Sequence, residues 1–195
     1  MLGQDPLSPR QRVDRLAEFV ELLDQLLTRP DTSYRGEWFT AERARMFPAG
    51  SRSRIRVLVA ANGPRSMRIA AGADGWITTG PPEGSATEAA ADDAGNAWWT
   101  GVAGLVDRFA TITSEAGRDP AEPGRLLDAD SAPVFSLSSV GAFDDCAGRA
   151  AELGFTDLVV HWPRTDQPYA GDERVLEQIA GHLRDGHWDG QHGAG

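Results

Sequence analysis

Four apolar runs alternating with helix-like stretches constrain this chain more than any other feature. "IRVLVAA" (55–61) is a short apolar run bounded by breakers, the pattern of a buried parallel strand. "PRSMRIAAGA" reads as a short helix, and "GWITTG" (75–80) as the next strand. "PPEGSATEAAADDAGNA" (81–97) is rich in Pro, Ala, Gly and Asp and reads as a mobile loop, with a helix beginning near its end. Trp98, Val102, Leu105, Val106 and Phe109 then form an apolar helical stripe that runs to Gly117 and stops at "GRDPAEPG". "APVFSLSS" (132–139) reads as a third strand, and "GAFDDCAGRAAELG" (141–154) as a helix closed by Gly154. "TDLVVHW" (156–162) is a fourth strand and "GDERVLEQIAGHLRDG" (171–186) the final helix. Strict alternation of this kind implies α/β architecture, a parallel sheet with helices outside it. A closed (β/α) barrel needs eight such units, so four make half a barrel or a small open doubly wound sheet.

Upstream, Ser8-Pro9-Arg10-Gln11 supplies an N-cap, a proline at the first helical position and a glutamine three after the cap. Val13, Leu16, Ala17, Val20, Leu23 and Leu27 follow at helical spacing until Pro30. Residues 31–54 read as a short hairpin or an irregular insertion, turned by Gly36 and ended by Pro48.

The chain has 195 residues, 41% of them hydrophobic, enough for one domain with its own core. We expect that domain over 1–188 and a frayed, disordered tail over 189–195. The net charge is −10 and every basic residue is arginine. Without a basic stripe, an acidic chain lacks the phosphate neutralisation on which nucleic-acid affinity rests, so no nucleic-acid partner is expected. A single cysteine, Cys146, excludes an internal disulfide and suits a reducing compartment. No apolar stretch approaches the roughly 18 residues of a membrane span. The expectation is a soluble cytoplasmic protein without a membrane partner.

Three strand ends carry residues suited to chemistry. "AANGPRSM" joins a strand to a helix, so free amides and the helix dipole favour an anion there. Gly63 lets a backbone approach, Ser66 offers a hydroxyl, and Arg65 or Arg68 adds charge. An ordinary strand-to-helix turn shows the same residues, and the stretch is neither G-x-G-x-x-G nor a P-loop, which needs a lysine. Thr78 and Thr79 end the next strand on the face where α/β ligands bind, although threonine is also a good strand residue. "VVHWPR" places His161, Trp162 and Arg164 at a third strand end: a base or hydrogen-bond donor, a wall for a flat ring, and an anion ligand. A capped strand end with a snorkelling arginine is the alternative. His182, His187 and His192 have no metal-site spacing, so no metal is expected, and Cys146 reads as a small core residue.

Several stretches together resemble the luciferase-like monooxygenase family, the flavin- or F420-dependent (β/α)8 oxidoreductases. They are the strand, small-residue turn, "RIAAGA" helix and "DGW" strand of the 57–80 region, the "AGRDP" helix end, and "SPRQRVDRLAEFVELLDQLL" followed by "YRGEWF". "AELGFTDLVVHWPRTDQPYAGDERVLEQIA" is similar to the family's C-terminal strand and helix, so the resemblance covers nearly all of 8–186. It implies a partial (β/α)8 TIM barrel: about four C-terminal βα units plus an N-terminal helix and insertion. It implies a cofactor phosphate held at Asn62, Gly63, Pro64, Arg65 and Ser66, with Thr78, Thr79 and His161, Trp162 and Arg164 lining the cofactor or substrate side. The cofactor would be F420 or FMN and the substrate a small organic molecule.

The family's first four βα units have no counterpart here. The resemblance therefore covers a phosphate-end subsite and leaves the catalytic residues unknown. Three readings follow: an oxidoreductase completed by a homodimer or a complementary half-barrel chain, a truncated non-catalytic half-barrel, or a binding module for a phosphorylated ligand.

Overall fold

The structure is a computed structural model that describes residues 6–46, 55–82 and 91–184. Helix α1 (Pro9–Thr28) opens on the capping box expected of its sequence. The Gln11 amide donates to Ser8 Oγ at 3.3 Å, and the Ser8 amide donates to Gln11 Oε1 at 3.0 Å. A two-stranded antiparallel hairpin follows, β1 (Thr32–Arg35) and β2 (Thr40–Ala44). Its turn is tied to α1 by one side chain: the Glu18 carboxylate accepts the backbone N–H groups of Glu37, Trp38 and Phe39 at 3.0, 3.0 and 2.7 Å. The hairpin was one of two readings of this region; Pro48, its expected end, lies outside the described residues.

The second half alternates as expected: β3 (Leu58–Ala60), α2 (Pro64–Gly72), β4 (Gly75–Thr78), α3 (Ala91–Glu115), β5 (Gly124–Asp128), α4 (Val140–Glu152), β6 (Asp157–Val159) and α5 (Glu173–Arg184). All four strands are parallel, in the order β3-β4-β5-β6. Every neighbour in the sheet is the next strand in the chain, so the order never reverses. A doubly wound sheet reverses at a switch point, whereas right-handed crossovers that keep advancing put all helices on one side, as in a barrel wall. The described residues therefore form a partial (β/α)8 barrel of four units.

One strand differs from expectation. The third strand is Gly124–Asp128, and residues 132–139 are not a strand. They contain a 3-10 turn at Ser136–Ser138, after another at Ala129–Ser131. Asp128 and Asp130 side chains take up amides of this segment, at Asp130 (3.3 Å) and Ser136 (2.9 Å), which diverts it from a ladder. Its apolar residue Leu137 is buried all the same, in a core under α4 and α5. Helix α3 also begins at Ala91, earlier than the composition of 81–97 suggests, while residues 83–90 of that segment lie outside the described residues. So do 185–195, including the expected tail.

The main core lies between β3–β5 and helices α2 and α3. Trp76 is fully buried at its centre, stacked on Phe109 (4.7 Å) and beside Phe155 (6.0 Å). Arg118, in the "AGRDP" stretch, donates to the Ala71 and Ala73 carbonyls at 2.6 and 2.8 Å and pairs with Glu122. That motif fastens the end of α3 to the end of α2. Leu158 packs against both cores and joins them.

Candidate functional site at the strand ends

Parallel register sets the C-terminal ends of β3, β4, β5 and β6 along one edge. The first cluster there is a clasp between β3 and β4. Asn62 Nδ2 donates to the Gly80 carbonyl at 2.9 Å, Thr78 Oγ1 donates to Asn62 Oδ1 at 2.6 Å, and the Gly80 amide donates to Thr78 Oγ1 at 3.0 Å. Trp76 Nε1 donates to the Ala61 carbonyl from below. Gly80 sits at φ +79°, and any Cβ there would strike the Trp98 ring. The polar atoms of Asn62 and Thr78 thus hold the turn in shape. Thr79, one residue on, is exposed.

The clasp fixes the start of α2. Gly63 is its N-cap and gives no side-chain cap; Pro64 at the first helical position has no amide to satisfy. The Arg65 and Ser66 amides in that first turn have no intrahelical acceptor. Ser66 Oγ donates to the Gly63 carbonyl at 3.0 Å. Beside Gly63 the space is open: a Cβ would meet only Ser66 Oγ, at 3.7 Å. Arg65 turns toward α1, where its Nη2 lies 2.6 Å from Asp14 Oδ1.

The second cluster joins β5 to β6. Asp130, its side chain wholly buried, accepts the Ser136 amide on Oδ1 and the His161 amide on Oδ2. His161 Nδ1 lies 3.4 Å from Asp130 Oδ2 and 3.8 Å from Asp128 Oδ1. The loop after β6 folds back through Arg164 N–H to the Tyr169 carbonyl (2.7 Å) and Gly171 N–H to the Arg164 carbonyl (3.0 Å). This lays Tyr169 on the His161 ring, 4.1 Å between centroids at 13°, with the Arg164 guanidinium 5.7 Å from the tyrosine centroid. His161 and Arg164 are brought together through Tyr169. Trp162 points away, exposed, with Nε1 on Glu173 Oε1 at 3.0 Å.

Asp128, Asp130 and Tyr169 escaped the sequence reading. Once the third strand is set at Gly124–Asp128, "DAD" becomes a strand-end turn, the position where side chains reach the ligand face; an apolar pair followed by D-x-D was the available signal. Tyr169 had none, because its contact depends on how the loop folds back. Among the described residues no group of three His, Cys, Asp or Glu side chains is placed to hold a metal. The Cys146 thiol is pushed up to about 11 by burial, then by Asp130 and Asp145, so it is no nucleophile near neutral pH. An apolar groove of about 370 Å³ lies under α4 and α5, away from the turn at Gly63. No described helix is long and apolar enough to cross a membrane.

Comparison with known proteins gives this geometry its context. Over 173 residues, 87% of this chain, the sequence is 29% identical to the F420-dependent hydroxymycolic acid dehydrogenase of Mycobacterium tuberculosis. Among solved structures, the coenzyme F420-dependent tetrahydromethanopterin reductase of Methanopyrus kandleri matches 91% of the chain with a TM-score of 0.55 at 14% identity, a likeness of fold. An F420-dependent secondary alcohol dehydrogenase, solved with an F420-acetone adduct, matches 92% with a TM-score of 0.47 at 19% identity. The chain spans 41%, 63% and 47% of these three proteins in turn. Residues 1–130 match the luciferase-like monooxygenase family, a span that contains the Asn62–Ser66 turn and ends at Asp130. The chain belongs to the luciferase-like monooxygenase family.

Proposed function

We propose that this chain provides the phosphate-end half of a flavin-type cofactor site in an oxidoreductase, with F420 favoured over FMN. The observation that carries the reading is the start of α2: uncapped Arg65 and Ser66 amides beside an exposed Gly63 with open space where a side chain would stand. Such a turn accepts a phosphate on backbone N–H groups and the positive end of the helix dipole. The residues present fit that end of either cofactor. F420 is favoured because the relative at 29% identity is named F420-dependent. When bound, the cofactor supplies the redox chemistry, hydride transfer for F420 or oxygen activation for reduced FMN. This chain's own residues bind and orient. Asn62 and Thr78 hold the cradle by their clasp, Ser66 and Thr79 offer hydroxyls, and Pro64 presets the helix start. Arg65 balances Asp14 as well as adding charge. His161 and Arg164 face a small organic substrate or the cofactor from the far strand end, while Trp162, turned to Glu173, stands outside that side. A reducing, cytoplasmic setting suits the lone thiol.

Closure of an eight-unit barrel is the second part of the proposal. The four-stranded sheet leaves β3 and β6 as edges among the described residues, and four further strands close it. A second copy of this chain, a complementary half-barrel chain or further residues of a longer polypeptide would supply them. A non-catalytic half-barrel, or a module that only holds a phosphorylated ligand, is the competing reading.

The test is a titration of the full chain with F420 and with FMN, alongside its mass in solution. Gly63 has an ordinary extended backbone (φ −95°, ψ 153°), so Gly63→Val should leave thermal unfolding unchanged. It should weaken cofactor binding by about tenfold or more, since the phosphate can no longer approach. Equal affinity in the variant would remove the cradle, and a monomer that binds neither cofactor would leave the binding-module or non-catalytic reading.

A further inference from the structure

The His161 imidazole is held on three sides. Its backbone amide donates to Asp130 Oδ2, its Nδ1 faces that oxygen at 3.4 Å and Asp128 Oδ1 at 3.8 Å, and Tyr169 covers one ring face. Nδ1 is buried and makes no hydrogen bond of good geometry, its nearest charged neighbours being those two carboxylates, yet 33% of the side chain is exposed, so the exposed part lies toward the opposite edge, which carries Nε2. Asp130 has no such freedom: its side chain is wholly buried and pinned by the Ser136 and His161 amides. An ionised carboxylate only accepts hydrogen bonds. A buried Nδ1 lone pair beside two carboxylate oxygens would be repelled by them, so a neutral imidazole here carries its proton on Nδ1 and its lone pair on Nε2.

We infer that Asp130 is a positioning residue that fixes the Nδ1–H tautomer of His161, and that Nε2 is a proton acceptor presented at the strand-end edge to a hydroxyl of a small organic ligand. In that step the ligand O–H bond breaks and an Nε2–H bond forms. The ligand oxygen is left negative and the imidazole positive, and no electrons change hands. Asp130 and Asp128 are the carboxylates that face the imidazole, both from the β5 side. Arg164 faces it only across Tyr169, and Glu173 is turned to Trp162. The ligand class rests on the oxidoreductase reading; the tautomer does not, so the two can fail separately.

The decisive measurement is a long-range proton–nitrogen NMR correlation of the full chain, labelled with ¹⁵N at histidine, at roughly pH 8, above the ordinary histidine range. The His161 signals are assigned by their loss in His161→Gln. We expect Nδ1–H as the majority form, shifting toward Nε2–H in Asp130→Asn. A second readout is carbethoxylation of His161 by diethyl pyrocarbonate, followed by peptide mapping with the exposed His182 as internal reference. The rate at His161 should fall several-fold in Asp130→Asn while His182 is unchanged. A wild-type protein with Nε2–H in the majority would overturn the inference, whether or not the variant folds. So would an Asp130→Asn protein that folds and keeps both the tautomer and the rate.

Discussion

At the residue scale, the turn after β3 is shaped by side chains that spend their polar atoms on one another. Thr78→Val keeps the shape of the side chain but removes both of its hydrogen bonds, leaving Asn62 Oδ1 and the Gly80 amide unpaired. The expected loss is about 1–3 kcal/mol of stability, read from urea unfolding, because a buried unsatisfied group costs its full desolvation. Trp76→Ala should cost more, about 3–5 kcal/mol, since a fully buried indole leaves a cavity against Phe109 and Phe155. Cys146 gives a pH signature. Its folded pKa is raised to about 11 from 9.0, so the unfolded chain releases this proton first. The contribution to stability is complete below pH 9.0 and declines as pH rises toward about 11. Thiol alkylation of the native protein at neutral pH should be far slower than in urea, and Cys146→Ala should flatten the alkaline slope. Part of this was legible: Ser66, Gly63 and Thr78 sit where the motif put them. That Asn62 and Thr78 face each other was not, because the partners are 16 residues apart and meet only through strand pairing.

At the element scale, local signals held wherever an element is closed by its own neighbours. Ser8 and Gln11 cap α1 as their spacing dictates, and Ser8→Ala should lower stability by about 1 kcal/mol. Helix α4 ends on Gly154 at φ +78°, with the Phe155 amide on the Ala150 carbonyl and the Gly154 amide on that of Ala151. Gly154→Ala should cost about 1–2 kcal/mol from the left-handed backbone, measurable as a lowered melting temperature. The third strand was misread for a physical reason. "VFSL" carries three apolar side chains and "GRLLD" two, and apolar content alone cannot tell a strand from a buried turn. The choice fell to "GRLLD" because it pairs with β4 and β6 on both sides, while Asp130 takes the Ser136 amide.

At the scale of the whole molecule, the sheet has two inner and two outer strands among the described residues. Amides of β4 and β5 should exchange with deuterium more slowly than those of β3 and β6. If a second copy closes the barrel, protection at β3 and β6 should rise with protein concentration. A concentration-independent profile would remove self-assembly as the route to a closed barrel. Leu158 contacts both cores, so denaturant unfolding followed by tryptophan fluorescence and by circular dichroism should give one coincident transition.

The sequence by itself determined the alternation of four strands and helices, the caps of α1 and α4, and the turn at Gly63. Each of these is set by residues within a few positions of one another, through periodicity, capping and backbone freedom. Tertiary structure decided the strand order that makes this a barrel wall, the true third strand, the Asn62–Thr78 clasp and the setting of His161 among Asp128, Asp130 and Tyr169. Those depend on which segments pair across the sheet and how the last loop folds back, and such long-range contacts leave no mark on spacing along the chain.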